Sequence, residues 1–138
     1  MKKIFLLFMS LAVLSSCSDD DEANGTSDDR ILGTWFLVEV NGIENLPFEI
    51  NECILRSNVT FNSNNTANSN YYTGTTSENC SLDDEEGRWE KLEGDSKYQL
   101  TIPVLGSQRG TVNFSGDNSE FTFIPDLIPA ANIVFEKR

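Results

Sequence analysis

Apolar and polar residues alternate with a period of two along most of the chain, a pattern that predicts half-buried β-strands. The clearest example covers residues 98–102, where Tyr98, Leu100 and Ile102 share one face. Pro103 follows them and limits the strand, because proline has no N–H group to donate to a neighbouring strand. In the body of the chain no segment of useful length shows the period of a helix.

Short turns separate the alternating segments. Residues 62–65 (Asn-Ser-Asn-Asn) and 115–118 (Ser-Gly-Asp-Asn) predict turns, because Asn and Gly tolerate left-handed backbone conformations. About eight short strands result, which predicts an all-β fold. Closing the sheet into a small antiparallel up-and-down β-barrel would hide its edges. The side chains expected in the barrel interior are Trp35, Leu37, Val59, Phe61, Trp89, Tyr98, Leu100, Ile102, Val112, Phe114, Phe121, Phe123, Ile133 and Phe135.

The strongest run of charge in the body is Asp83-Asp84-Glu85-Glu86. Carboxylates are ligands that calcium prefers, but the run lacks the alternation and the central glycine of an EF-hand loop. We therefore predict a solvated loop after Cys80 and no metal site.

Acidic residues outnumber basic ones in the chain as a whole and in its body. The net charge is −12, and residues 30–138 carry 8 basic and 16 acidic residues, or −8. This charge repels phosphate backbones, so we expect no nucleic-acid partner. The sequence contains no histidine, the commonest general base and zinc ligand. Glu39 is the one carboxylate expected near the barrel interior, unless it reaches solvent at a strand end. We expect neither a cofactor nor an enzyme activity.

The first 16 residues have the layout of a secretory signal peptide. Lys2 and Lys3 give a positive start, and Ile4 to Leu14 is an apolar run of 11 residues with one serine. A membrane-spanning helix needs roughly 20 residues, so the run is too short to be one. Residues 14–17 (Leu-Ser-Ser-Cys) resemble the bacterial lipobox, and the resemblance implies that Cys17 is acylated and becomes the first mature residue. The alternative is an ordinary signal peptide that happens to contain a cysteine.

Residues 17–29 predict an acidic, flexible tether between the lipidated Cys17 and a domain over residues 30–138. The segment has no apolar period and begins with Ser18 and four acids, Asp19, Asp20, Asp21 and Glu22. These acids resemble the surface-export signal of lipoproteins from the Bacteroidetes group. A solvated tether without any export role would have the same composition.

The body of the chain resembles the lipocalins, and more closely the small lipocalin-like lipoproteins of Bacteroidetes. The first strand opens with residues 31–35 (Ile-Leu-Gly-Thr-Trp), and in lipocalins such a tryptophan closes the base of the barrel. The resemblance continues to the end of the chain and implies the barrel fold and an envelope location, but no activity. Its further matches are Cys53, residues 60–66, Cys80, residues 87–89 (Gly-Arg-Trp) and residues 98–102.

With Cys17 lipidated, Cys53 and Cys80 remain as an even pair in an oxidising compartment, which predicts a disulfide. The alternatives are a metal site, which would lack histidine and close cysteine spacing, and a reactive thiol, which needs an electropositive neighbourhood. The acids near both cysteines, Glu52 and Asp83 among them, provide the opposite.

Two interpretations of function stay open for a lipoprotein anchored in the outer membrane, periplasmic or facing outward. The first is a monomer that binds a small apolar or amphipathic ligand inside the barrel. The side chains expected to line that site are Trp35, Leu37, Phe61, Trp89, Tyr98, Phe114 and Phe123. The second is a structural or accessory protein that has no cavity and binds another protein or a glycan, since the strand around residues 62–79 is rich in Asn, Thr and Ser.

Overall fold

The computed structural model describes residues 29–46, 50–94, 96–103 and 105–138. Within these residues nine antiparallel strands form one sheet, together with a 3₁₀ helix at Ile54–Arg56. The strands are β1 (Gly33–Asn41), β2 (Asn58–Phe61), β3 (Thr66–Thr73), β4 (Ser81–Arg88), β5 (Glu90–Lys91), β6 (Lys97–Ile102), β7 (Gly106–Phe114), β8 (Glu120–Pro125) and β9 (Asn132–Lys137).

The strand order β4-β3-β2-β1-β9-β8-β7-β6-β5 is an up-and-down meander. In it, β1 and β9, the first and last strands in the sequence, pair with each other. β4 and β5 stand at the two ends of this order, yet Trp89 alone separates them in the sequence. Residues 81–91 therefore act as one kinked strand that pairs with β3 at its start and with β6 at its end. The prediction of a small antiparallel barrel of about eight strands is confirmed, since β4 and β5 together fill one position.

The kink at Trp89 is fixed to the turn between β2 and β3. The Trp89 backbone N–H donates to the Asn65 carbonyl at 3.0 Å, and its indole N–H donates to the Asn62 carbonyl at 2.7 Å. The Asn65 amide returns a bond to the Trp89 carbonyl at 3.2 Å. Asn65 has a φ of 66°, so the predicted Asn-rich turn takes the left-handed conformation that allows these bonds.

Glu39 does not lie near the barrel interior. Strict alternation would place it on the same face as Trp35 and Leu37, but the pairing of β1 with β9 shifts between Leu37 and Glu39. Such a bulge adds one residue to a strand and turns the following side chains to the opposite face. Glu39 is therefore exposed, and Val40 packs against the core instead.

The acidic run at residues 83–86 is not a loop, and that prediction was wrong. It lies inside β4, which pairs with β3 along its whole length, from Ser81 opposite Thr73 to Arg88 opposite Thr66. Every residue of β4 except Gly87 is exposed. Composition alone predicted the solvent exposure correctly, but pairing with a neighbouring strand decided the backbone conformation.

The core is a single cluster inside the barrel, rich in aromatic side chains. Of the 14 predicted interior residues, 13 are no more than 3 % exposed, and Phe114 is partly buried against them. Ile54 also belongs to this cluster, although it lies on the 3₁₀ helix in the loop between β1 and β2. In the part of the chain described, no helix has the length and hydropathy that a bilayer crossing requires.

Candidate binding site

The side chains predicted to line a ligand site pack against one another. Trp35 lies 4.7 Å from Phe121 in an edge-to-face contact, and Phe121 stacks on Phe135 at 5.0 Å, both measured between ring centroids. Trp89 joins the same core through Phe61 and Tyr98, each with its ring centroid 6.4 Å away. Such separations are those of direct aromatic contact, so these rings form one packed cluster.

Individually, six of the seven predicted ligand residues are closed off from solvent. Trp35, Phe61, Trp89, Tyr98, Phe123 and Leu37 are at most 2 % exposed. Phe114 is partly buried, with its ring centroid 6.1 Å from that of Trp35 and the Arg30 guanidinium 4.6 Å from its own centroid.

The residues that precede β1 close one end of the barrel. The Trp35 indole N–H donates to the Ile31 carbonyl at 2.6 Å, and Ile31 itself is fully buried. The Lys137 ammonium lies 4.8 Å from the centroid of the Trp35 ring, a cation–π distance. The position expected from the lipocalin resemblance, with a tryptophan at the barrel base, is therefore the one that Trp35 occupies.

Asp29 anchors the start of this end segment to the barrel. Its carboxylate accepts hydrogen bonds from the Tyr98 hydroxyl at 2.8 Å and from the Ile31 backbone N–H at 3.0 Å. The Lys91 ammonium lies 3.6 Å from its second oxygen, and the carboxylate side chain is only 5 % exposed. Burial and the Asp29 carboxylate together raise the pKa of Tyr98 well above its ordinary value of 10.0.

A disulfide ties down a loop at the opposite end. Cys53 is bonded to Cys80, which confirms the predicted pair and joins the β1–β2 loop to the β3–β4 loop. Cys53, Ile54 and Ser57 are buried, and the Ser57 hydroxyl accepts a bond from the Tyr72 backbone N–H at 3.0 Å. This loop places the Ile54 side chain in the core.

Open space lies outside the core, along the join between β4 and the β5–β6 edge. We call it the seam groove; it has a volume of about 800 Å³ and is open to solvent. Its walls are mostly polar, although the buried Trp89 contributes to them. The groove is lined by Asn65, Gln99, Thr101, Ser107 and the segment from Glu85 to Lys91.

At the seam, β4 approaches β6 without pairing with it. The Thr101 hydroxyl donates to the Arg88 carbonyl at 3.1 Å, and Gly87 packs on the Thr101 side chain. Earlier residues of β4 stay paired with β3 and diverge from β6, which itself ends at Ile102. The seam groove occupies the gap left between the two strands.

A second, smaller hollow of about 420 Å³ lies on β3 and β4, on the face of β3 that also carries the buried Ala67. Ser69 and Tyr71 line it from β3, and Asp83, Asp84 and Glu85 line it from β4. Burial raises the pKa of Tyr71, and the negative charge of Asp83 raises it further. Both hollows therefore share the acidic strand as one wall.

Electrostatically, acid dominates this region. Glu85, Glu86 and Glu90 face the seam groove, and of its two cations Lys91 is engaged with Asp29. Among the described residues, no group of three or more His, Cys, Asp or Glu side chains is arranged to hold a metal ion.

Sequence reasoning missed β4 as part of the site. The usable signal was the position of the acids, which lie between a predicted strand and residues 87–89, the Gly-Arg-Trp of the family resemblance. These acids could therefore have been interpreted as a strand that follows a hairpin turn.

An up-and-down barrel with a buried tryptophan near the start of its first strand is the architecture of a lipocalin-type protein. The chain belongs to the family of the lipocalin-like domain, whose model matches residues 31–124. A prokaryotic membrane lipoprotein lipid attachment site matches residues 1–18, so the chain is a membrane-anchored lipoprotein. Cys17 lies outside the described residues but inside that match. No curated protein and no solved structure matches the chain.

Proposed function

We propose that this lipoprotein is a binding module of the outer membrane that takes a polar partner at the seam groove. The observation that carries the proposal is the contrast between a core of mutually packed aromatic rings and an open polar groove beside it. The proposal is for a binding protein and assigns no reaction to the chain.

The packed aromatic core supports a partner outside the barrel. A buried apolar ligand needs a concave site lined by apolar side chains, and such sites usually enclose a few hundred Å³. Here the Trp35, Phe121 and Phe135 rings contact one another, and the disulfide-linked loop adds Ile54 to the same buried cluster.

The lining of the seam groove supports a polar partner. Side-chain amides and hydroxyls at Asn65, Gln99, Thr101 and Ser107 offer donors and acceptors on one side, while carboxylates line the other. An extended peptide or a glycan can use such groups, whereas an acyl chain would leave them without partners.

The first test asks what occupies the interior. Native mass spectrometry weighs the intact protein purified from its native membrane. A second sample is weighed after extraction with organic solvent. We expect the mass of the lipidated chain alone. A stoichiometric apolar molecule that leaves on extraction would contradict the proposal and favour the interior ligand instead.

The second test asks what contacts the groove in the cell. A photo-crosslinking amino acid is placed at Ser107, which lines the groove, and in a matched variant at Asn113, an exposed residue elsewhere on β7. We expect a crosslinked product of higher mass from position 107 only. Equal products from both positions, or none from position 107, would count against the groove as the binding surface.

A further inference from the structure

The acidic strand β4 has one side without a partner strand. It stands at the end of the sheet order, and within the described residues only β3 pairs with it. An edge of this kind presents backbone N–H and C=O groups that another chain can bind by strand addition.

The hydrogen-bond pattern shows which backbone groups of β4 are available. The Asn62 N–H donates to the Thr66 carbonyl at 2.9 Å, so the peptide groups of Thr66 and of each second residue after it point toward β2. Those of Tyr71 and its alternate neighbours then point toward β4 and meet residues such as Asp83. The peptide groups at positions 82, 84 and 86 must therefore point away from the sheet.

Three hydrogen bonds support this assignment. The Tyr72 N–H points toward β2 and donates to the Ser57 hydroxyl, and the Trp89 N–H points toward β3 and donates to Asn65. The Arg88 carbonyl points toward β6, where it accepts the Thr101 hydroxyl proton. The outward side of β4 is thus the side that borders the seam groove.

From this geometry, and resting on the proposed function, we propose that β4 accepts an extended segment of another protein that carries lysine or arginine. The segment would pair with the outward peptide groups of Leu82, Asp84 and Glu86. Its side chains would stand opposite acids on both faces of the sheet, since Asp83 and Glu85 alternate with Asp84 and Glu86.

The negative charge of β4 determines which kind of segment can bind at its edge. A second copy of this chain would place acids opposite acids, and like charges directly across a strand pair are destabilising. The acidic residues 19–22 of the same chain carry the same sign of charge and match the edge no better. A basic segment gains from every acid of β4 and from the net charge of the domain.

The test uses a capped peptide, Thr-Lys-Lys-Val-Lys-Lys-Thr, which places lysines on both faces of an extended strand. Its binding to the mature protein is measured by isothermal titration calorimetry at low salt, and amide NMR shifts locate the contact. We expect saturable binding with shifts at Leu82, Asp84 and Glu86. The same peptide methylated at every backbone nitrogen keeps its lysine charges and loses its backbone N–H donors. It should bind at least tenfold more weakly.

Two matched variants separate backbone pairing from charge. Asp84→Pro and Asp84→Asn remove the same charge, but only proline removes the outward N–H, and an edge strand tolerates it there. We expect at least tenfold weaker binding for Asp84→Pro than for Asp84→Asn. If the proline variant fails to fold, as judged by circular dichroism, the methylated peptide on the unaltered protein still decides the question.

Equal binding of the methylated peptide would overturn strand addition, because charge alone would then hold the peptide. No binding at ~1 mM peptide would also overturn the inference and leave the acids the role of preventing edge-to-edge pairing. Either failure leaves the proposed function standing if position 107 still crosslinks to a partner in the cell. Stoichiometric apolar ligand in the purified protein would end the proposed function instead.

Discussion

Gly87 of β4 lies directly against Thr101 of β6, where the two ends of the sheet approach each other. A Cβ atom at position 87 would lie 2.8 Å from both Cβ and Cγ2 of Thr101, and closer still to its hydroxyl oxygen. The Thr101 hydroxyl meanwhile donates to the neighbouring Arg88 carbonyl at 3.1 Å. The missing side chain of Gly87 is what allows the barrel to close.

We predict that Gly87→Ala destabilises the barrel. The added methyl group must push β4 away from β6 or force Thr101 from its position, and overpacking of this kind costs about 1–3 kcal/mol. Urea denaturation of the mature domain, followed by tryptophan fluorescence, measures the change in the free energy of unfolding.

Two controls make the interpretation of Gly87→Ala specific. Gly116→Ala adds the same methyl group where no atom lies within 4 Å, so its midpoint should stay close to that of the original chain. The double variant Gly87→Ala/Thr101→Ala should be less destabilised than the sum of its single changes, because it removes Oγ1 and Cγ2 of Thr101, two of the three atoms that the new methyl group meets. Strict additivity of the two changes would show that the contact does not limit closure.

Much of this barrel was predictable from alternation, because burial on one face of a strand is a local signal. Val59, Leu100 and Ile102 were assigned to the interior from their spacing, and each is buried. Asn62–Asn65 was assigned as a turn because Asn tolerates a positive φ, and Asn65 has one. These features depend on a few consecutive residues, so a single sequence contains them.

The seam and the acidic strand depended on residues distant in the chain. β4 has no apolar face of its own, and its extended conformation follows from pairing with β3. Glu39 was misplaced because the bulge in β1 arises from its register with β9, which no local pattern encodes. The filled interior also depends on how the rings pack together, which strand spacing does not specify.

We predict that the Cys53–Cys80 disulfide contributes a large share of the stability. The bridge spans 27 positions of the chain and holds the loop that carries Ile54 into the core. The chain-entropy estimate for such a loop is roughly 3–4 kcal/mol, and native-state strain can reduce it. Cys53→Ser/Cys80→Ser should lower the urea midpoint accordingly, and a reducing agent should then have no further effect on the variant. A midpoint equal to that of the oxidised chain would show that the loop docks without the bridge.

We predict that Cys17→Ser releases the protein from the membrane. The lipid attachment match covers residues 1–18, in which Cys17 is the one cysteine, and more than one acyl chain is needed for stable anchoring. Growth with a labelled fatty acid should give a labelled band for the original chain and for Cys53→Ser, but none for Cys17→Ser. Label on the Cys17→Ser protein would show that another residue is acylated.

We predict that the Asp29–Tyr98 contact makes the barrel lose stability at alkaline pH. Burial, then the hydrogen bond and charge of Asp29, raise the pKa of Tyr98 above its ordinary 10.0. The folded state therefore keeps the phenol proton at a pH where the unfolded chain releases it, so stability falls as the pH rises above about 10, by at most ~1.4 kcal/mol per pH unit. Tyr98→Phe should remove this component of the slope.

Urea titrations at several values between about pH 8 and about pH 11 measure the slope for each variant. Asp29→Asn is the matched control, because it keeps acceptors for the Tyr98 hydroxyl and the Ile31 N–H but removes the charge. Its slope should lie between those of the original chain and Tyr98→Phe, since burial still raises the pKa of Tyr98 while the charge no longer does. A Tyr98→Phe slope equal to that of the original chain would mean that the phenol ionises alike in the folded and unfolded states, and that Asp29 fixes the base of the barrel by geometry alone.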